Sequence, residues 1–318
     1  MKKVLVTGST GQIGAELTPV LRRRFGPENV IAAGHRTEPP EAFRTAGPYV
    51  TFDIREKNSI DRVIRQYDVG TVYHLSALLS AVAEEQPELA WDVNINGLRN
   101  VLDAACSYNC SVFHPSSIGA FGPSTPRDNT PQETVQRPTT MYGITKVTGE
   151  LLCDYYYLRF GVDSRGIRFP GLISHEIMPG GGTTDYAVDI FYGALRDRRY
   201  TCYLAPDTRL DMMYMPDAVR AVMELMTADQ GRLLHRNAYN ITAMSLSPAE
   251  LARAIQKHLP DFTMHYRVDP VRQAIADSWP NRLDDSAARS QWDWQPEYDL
   301  ESMVADMLAR LSGKLAQE

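Results

Sequence analysis

Short apolar runs alternate with longer amphipathic stretches from the first residues to about residue 170. Lys3–Thr7 is apolar and β-branched, which predicts a strand. Ile13, Leu17, Val20 and Leu21 share one face of a helix expected over Gln12 to Arg24. Further strands are expected at 29–33, 49–53, 71–75, 111–116 and 163–169. Between them, helices are expected around Ile60, Val63 and Ile64, as one long rod from Pro87 to Tyr108, and over 141–160. Asn58 or Ser59 is the expected cap of the first of these. A loop rich in Pro, Thr and Asn fills 122–140. Strands with no polar face need cover on both sides, so the pattern predicts a doubly wound α/β fold around a parallel sheet.

After Pro170 the rhythm breaks. Residues 174–184 hold three consecutive glycines and no period. Short strands are expected at 211–215 and 239–242, with a helix over 216–227 between them. The rest reads as helical, with Ser247-Pro248-Ala249-Glu250 as a start signal and a last helix over 300–315. The expected division is a dinucleotide-binding Rossmann domain over 1–170, with elements returning near 205–242. A smaller, mostly helical substrate lobe takes 171–204 and 243–318.

Composition narrows the class. A chain of 318 residues with 43% hydrophobic and 23% charged positions is an ordinary globular protein. The formal charge of −6 leaves no basic footprint, so nucleic acid is not an expected partner. No apolar run nears the roughly 20 residues of a membrane helix, and no membrane contact is expected. The first apolar run stops at Thr7-Gly8, too short for a secretory leader. Cys106, Cys110, Cys153 and Cys202 form no CxxC pair and read as reduced thiols of a cytoplasmic protein. His175-Glu176 lacks the second histidine of a zinc helix, and no metal is expected.

The first strand runs into Gly8-Ser9-Thr10-Gly11-Gln12-Ile13-Gly14. Glycines between a strand and an amphipathic helix permit a tight turn and close approach of a pyrophosphate to the helix N-terminus. The acid that would hold the adenosine ribose should close the second strand. Gly34-His35-Arg36-Thr37 stands there instead. Arg36 can meet a 2′-phosphate, stack on adenine, or sit in solvent. Asp53 and Ile54, ending the third strand, can bracket the adenine, and Asp53 can equally cap a helix.

Tyr142 and Lys146, four apart, share one helical face. An ammonium beside a phenol favours the phenolate and makes it a usable base. Ser116-Ser117, closing the fifth strand, supplies a hydroxyl for the substrate oxygen.

Phosphate loop, Ser-bearing strand end and Tyr-Lys pair together resemble the extended short-chain dehydrogenase/reductase family, which includes nucleotide-sugar epimerases. The resemblance covers nearly the whole chain. It implies NAD as cofactor, a homodimer through the long helices flanking strand 5, and catalytic roles for Ser117, Tyr142 and Lys146. Ser117 is favoured over Ser116 because it lies 25 residues before Tyr142, the spacing expected by similarity. Leu75, Ser76 and Ala77, then Asn94, then Pro170 resemble further cofactor-side landmarks. Ile118 and Gly119 stand where sugar-nucleotide dehydratases carry an Asp-Glu pair. The run Pro179 to Ala187, with Leu79-Ser80 and the segment around Trp279, resembles short-chain-type L-threonine 3-dehydrogenases. That resemblance implies oxidation of the 3-hydroxyl of a small amino acid, with Ser80, Gly182, Thr183, Thr184 and Trp279 around it. The rival expectations are a nucleotide-sugar epimerase and a dinucleotide sensor without catalysis.

Overall fold

The structure, a computed structural model, describes residues 2–178 and 180–316. Pro179, which opens the glycine run, lies outside the described residues. In chain order the first half runs β1 (Lys3–Thr7), α1 (Gln12–Phe25), β2 (Val30–Gly34), α2 (Glu41–Thr45), β3 (Tyr49–Thr51), α3 (Lys57–Tyr67), β4 (Val69–His74), α4 (Ser80–Glu85), α5 (Pro87–Trp91), α6 (Gly97–Tyr108), β5 (Ser111–Ser117), α7 (Met141–Phe160) and β6 (Ser164–Phe169). The second half adds β7 (Gly171–Ile173), α8 (Tyr186–Asp197), β8 (Arg199–Cys202), β9 (Leu210–Tyr214), α9 (Met215–Thr227), β10 (Tyr239–Asn240), β11 (Met244–Leu246), α10 (Pro248–Gln256), β12 (Thr263–Tyr266), α11 (Pro270–Asp277), α12 (Ser286–Trp292) and α13 (Leu300–Leu315).

Seven strands form one parallel sheet in the order β10-β6-β5-β4-β1-β2-β3. This is the Rossmann arrangement, and the order reverses between β1 and β4, where such sheets open a ligand crevice. Alternate side chains of each strand serve opposite faces. Leu5, Ile31, Val72 and Val112 pack under α3 and α6. Val4, Val6, Tyr73 and Phe113 pack under α1 and α9. The second lobe has its own core around Tyr186, Phe191, Leu251 and Met303, and two small sheets, β11-β9-β7 and β12-β8.

The structure departs from the sequence reading in three local ways. The residues near Asp211 do not return to the large sheet. β9 pairs with β7 and β11, and only β10 extends the main sheet beside β6. The reason is the turn at Pro170, which sends β7 out of the main sheet and gives β9 a nearer partner. α3 begins after Glu56, not at Asn58 or Ser59, and the Ser59 hydroxyl donates back to the Glu56 carboxylate at 3.0 Å. The long rod is unbroken, but it widens into a π turn over Asp92–Asn96. Ser247 and Glu250 form the reciprocal cap that starts α10. Among the described residues no helix is long and apolar enough to cross a membrane.

Candidate active site

The C-terminal ends of β1, β4, β5 and β6 open onto one cleft, with the second lobe as its far wall. At its floor, Gly8 takes a left-handed φ of 66°, and a Cβ there would lie 2.7 Å from the Ser76 amide nitrogen. A Cβ on Gly14 would lie 2.3 Å from the Gly8 carbonyl, so the helix reaches the strand only without one. Gly11 is the N-cap of α1, no side chain caps that end, and no acid occupies its first turn. The first N–H groups of α1 therefore face the cleft with their dipole unopposed. The Gln12 side-chain nitrogen is buried on this wall without a hydrogen-bond partner. A cradle that admits no Cβ at Gly8 or Gly14, backed by unpartnered donors, fits the diphosphate of a dinucleotide. Gly8, Gly11, Gln12, Ile13 and Gly14 would hold it. The neighbouring recess, lined by Gly34, His35, Arg36, Asp53, Ile54, Leu75, Ser76 and Ala77, would take the adenosine.

Ser117, Tyr142 and Lys146 line the same cleft. The Tyr142 ring leans on Gly119, where a Cβ would stand 3.2 Å from it. Gly119 also donates its N–H to the Ser117 hydroxyl at 3.1 Å. Lys146 Nζ donates to the Pro115 carbonyl at 2.8 Å and lies 5.4 Å from the Tyr142 ring centre. Burial pulls Lys146 down to about 8. Burial also pushes the Tyr142 phenol up, against a hydrogen bond from Ser117 that draws it down. Proximity of the ammonium alone therefore does not depress the phenol, as the spacing had suggested, because desolvation is the larger effect. His74 and His114 stack behind this group with ring centres 5.8 Å apart, and burial holds both neutral, His74 down to about 3.

The two strand-end serines divide. Ser116 is buried and its hydroxyl donates to Glu150, which also pairs with Arg168 at 2.8 Å. Ser117 is the one left to the cleft beside Tyr142. Glu150, Arg168 and Asn240 join α7, β6 and β10 into a single polar knot behind the site.

The facing wall carries Ser80, Gly182, Thr183, Thr184 and Trp279. Trp279 is 6% exposed and also belongs to the core of the second lobe. Two N–H groups of the glycine run are engaged within the turn itself. Gly181 and Gly182 both donate to the carboxylate of Asp185. Asp185 lies three and four residues on and closes a turn that leads into α8. Burial raises its carboxyl, against those two N–H groups that lower it. Tyr203 braces the same turn, accepting from the Tyr186 N–H at 2.8 Å and donating to the carbonyls of Gly182 and Thr183. Sequence reading missed Asp185 and Tyr203 as site residues. Asp185 stood next to Thr184 and could have been found as the acid after a hydroxyl pair. Tyr203 arrives only through tertiary packing.

Asn94 does not line the cleft. It accepts from the Leu78 N–H at 2.8 Å and donates to the Leu78 carbonyl and to Thr145 Oγ1. The π turn gives it this inward reach, one layer behind the wall it supports. Asp53 is on the adenosine wall, but its carboxylate is gripped by the Arg55 guanidinium at 2.6–3.0 Å. That grip holds it down at about 2.

Residues 4–242 match the NAD dependent epimerase/dehydratase family. The chain belongs to this family. An uncharacterized epimerase/dehydratase of Staphylococcus saprophyticus is 52% identical over 314 residues, 99% of this chain and 98% of that protein. Among solved structures, the L-threonine dehydrogenase from Clostridium difficile superposes with a TM-score of 0.97 at 55% identity, covering 99% of this chain and 98% of that one. The holo form of the GalE-like L-threonine dehydrogenase from Cupriavidus necator gives 0.94 at 47% identity, covering 97% and 99%. This family member is an NAD-dependent oxidoreductase, and its phosphate cradle fits that cofactor.

Proposed function

We propose that this family member oxidises the 3-hydroxyl of L-threonine to give 2-amino-3-oxobutyrate, which can then lose CO₂ to form aminoacetone. The observation that carries the reading is the composition of one cleft. A Ser-Tyr-Lys group meets a wall of two threonines, Ser80 and the half-buried Asp185. That wall suits a small zwitterion and offers little to a sugar diphosphate. The likeness in fold and sequence to L-threonine dehydrogenases supports it.

When bound, NAD supplies the acceptor for the hydride that leaves C3. Tyr142, as phenolate, takes the 3-hydroxyl proton, so one proton and one hydride depart and a ketone remains. Ser117 holds the same oxygen and fixes its distance from Tyr142. Lys146 sits four residues along the same helix, where its ammonium favours the phenolate. Thr183 and Thr184 hydroxyls hold the substrate carboxylate, and Asp185 holds the α-ammonium as a charged partner. Trp279 closes the side and excludes water. The proposed working form is a homodimer through the outer faces of α5 and α7. The protein works in the cytoplasm on a free amino acid.

The direct test follows absorbance of NADH with L-threonine, L-serine and UDP-glucose as separate substrates. Turnover with L-threonine above the other two is expected. Turnover of UDP-glucose without L-threonine would replace this reading by a sugar-nucleotide one.

A further inference from the structure

In a dinucleotide fold, a carboxylate closing the second strand accepts from the adenosine 2′-hydroxyl, whereas an arginine nearby accommodates a 2′-phosphate. Here β2 ends on Gly34, and a side chain at that position would have to displace the Tyr49 phenol. A Cβ on Gly34 would lie 2.0 Å from the phenol oxygen of Tyr49, which reaches across from β3. A neutral hydroxyl therefore occupies the place where the carboxylate would stand. Asp53, the acid on the adenosine wall, is gripped by Arg55.

Beyond Gly34 the adenosine recess continues into a small side pocket, and His35, Arg36 and Thr37 line both. Arg44 and Tyr49 complete the side pocket, with Glu38 as its one carboxylate. Two guanidinium groups thus face one acid in the side pocket, while the His35 imidazole lies 3.7 Å from the Asp53 carboxylate. No ion pair engages Arg36 or Arg44 among the described residues. Paired guanidinium donors around a recess of this size suit a phosphate, whose oxygens they meet in a fork geometry.

We propose that this side pocket receives a 2′-phosphate on the adenosine ribose, so the chain binds NADP as well as NAD. Arg36 and Arg44 hold the phosphate from two sides, and the Tyr49 hydroxyl donates to it from below. The absence of a carboxylate at Gly34 removes the repulsion that would otherwise reject it. This inference concerns the adenosine end alone and does not rest on the substrate being L-threonine.

Calorimetric titration of the full chain with 5′-AMP and with adenosine 2′,5′-bisphosphate isolates the 2′-phosphate, the single difference between the two probes. The bisphosphate is expected to bind about tenfold tighter at low salt, with the gap narrowing as salt screens the guanidinium charges. In the double variant Arg36→Ala with Arg44→Ala, that gap should close while 5′-AMP affinity changes far less. Bisphosphate binding equal to or weaker than 5′-AMP in the unaltered chain would overturn the proposal. So would a double variant that weakens both probes alike. Titrations with the whole cofactors check the same point, and NADP binding more than tenfold weaker than NAD also counts against it. None of these readings depends on turnover.

Discussion

Lys146 lies one helical turn from Tyr142, its ammonium 5.4 Å from the ring centre, and treating the two as one titrating pair sets how the site should respond to pH. Burial pushes the phenol up and pulls the ammonium down to about 8. The first proton to leave the pair therefore leaves near pH 8. What remains is either a neutral amine beside a phenol or a phenolate beside an ammonium, and the second form is the base. Turnover should accordingly rise with pH through about 8. With Lys146→Met the tautomer that carries the phenolate is lost, and the rise should move above 10, where the buried phenol titrates alone. A pH profile of kcat/KM for both proteins checks this, and an unmoved limb would remove Lys146 from the proton balance. Tyr142→Phe should lower kcat by about 10²–10⁴ while NAD binding, read by titration, stays within a few fold. The pair itself was legible in the sequence, because i and i+4 positions on a helix share a face wherever the helix ends up. Its pKa directions were not legible. They depend on how completely β5 and the second lobe cover the two groups, and spacing carries nothing about that.

At the scale of elements, the rod from Pro87 to Tyr108 shows what periodicity misses. An apolar repeat predicts a helix through residue 94, and a helix is there, but one widened turn redirects the Asn94 side chain inward. Such turns occur often at functional sites. Asn94 then fixes the backbone of Leu78, in the loop between β4 and α4, to Thr145 on α7. Thr145 lies between Tyr142 and Lys146, so one amide ties the cofactor-side loop to the reactive helix. Asn94→Ala leaves the Leu78 N–H and carbonyl unpaired in a part-buried place. It should destabilise the fold by about 1–3 kcal/mol, measured by urea denaturation. It should also lower kcat more than it raises the KM for NAD, because α7 loosens while the phosphate cradle stays intact. Equal effects on both would mean that Asn94 serves the cofactor directly. The six strands of the first half were readable because most are buried along nearly their whole length, although β3 is part-exposed and β6 carries Ser164, Arg165 and Arg168. The second lobe was less readable, since its strands are three to five residues long and pair across long sequence gaps.

Across the whole molecule, α7 has two working sides. Its inner side carries Tyr142, Lys146 and Glu150 into the sheet, and its outer side leaves apolar groups in solvent. Leu151 is 63% exposed, Tyr155 54% and Leu158 80%, and Trp91 on the neighbouring α5 is 41% exposed. Spacings of four and three along the helix place Leu151, Tyr155 and Leu158 on one stripe. A contiguous apolar patch of this kind on a helix pair marks an association surface. The stripe repeats on every copy, and a two-fold axis would bring it against itself, as an isologous dimer requires. Leu151→Glu with Leu158→Glu places four carboxylates at that junction, two from each copy. Sedimentation should then show a monomer where the unaltered chain shows a dimer. Because α7 also carries the Tyr-Lys pair, the monomer should keep NAD binding at the distant α1 cradle and lose part of its turnover. A monomeric unaltered chain would sink the dimer. An unaltered chain that is dimeric but insensitive to both substitutions would move the interface elsewhere.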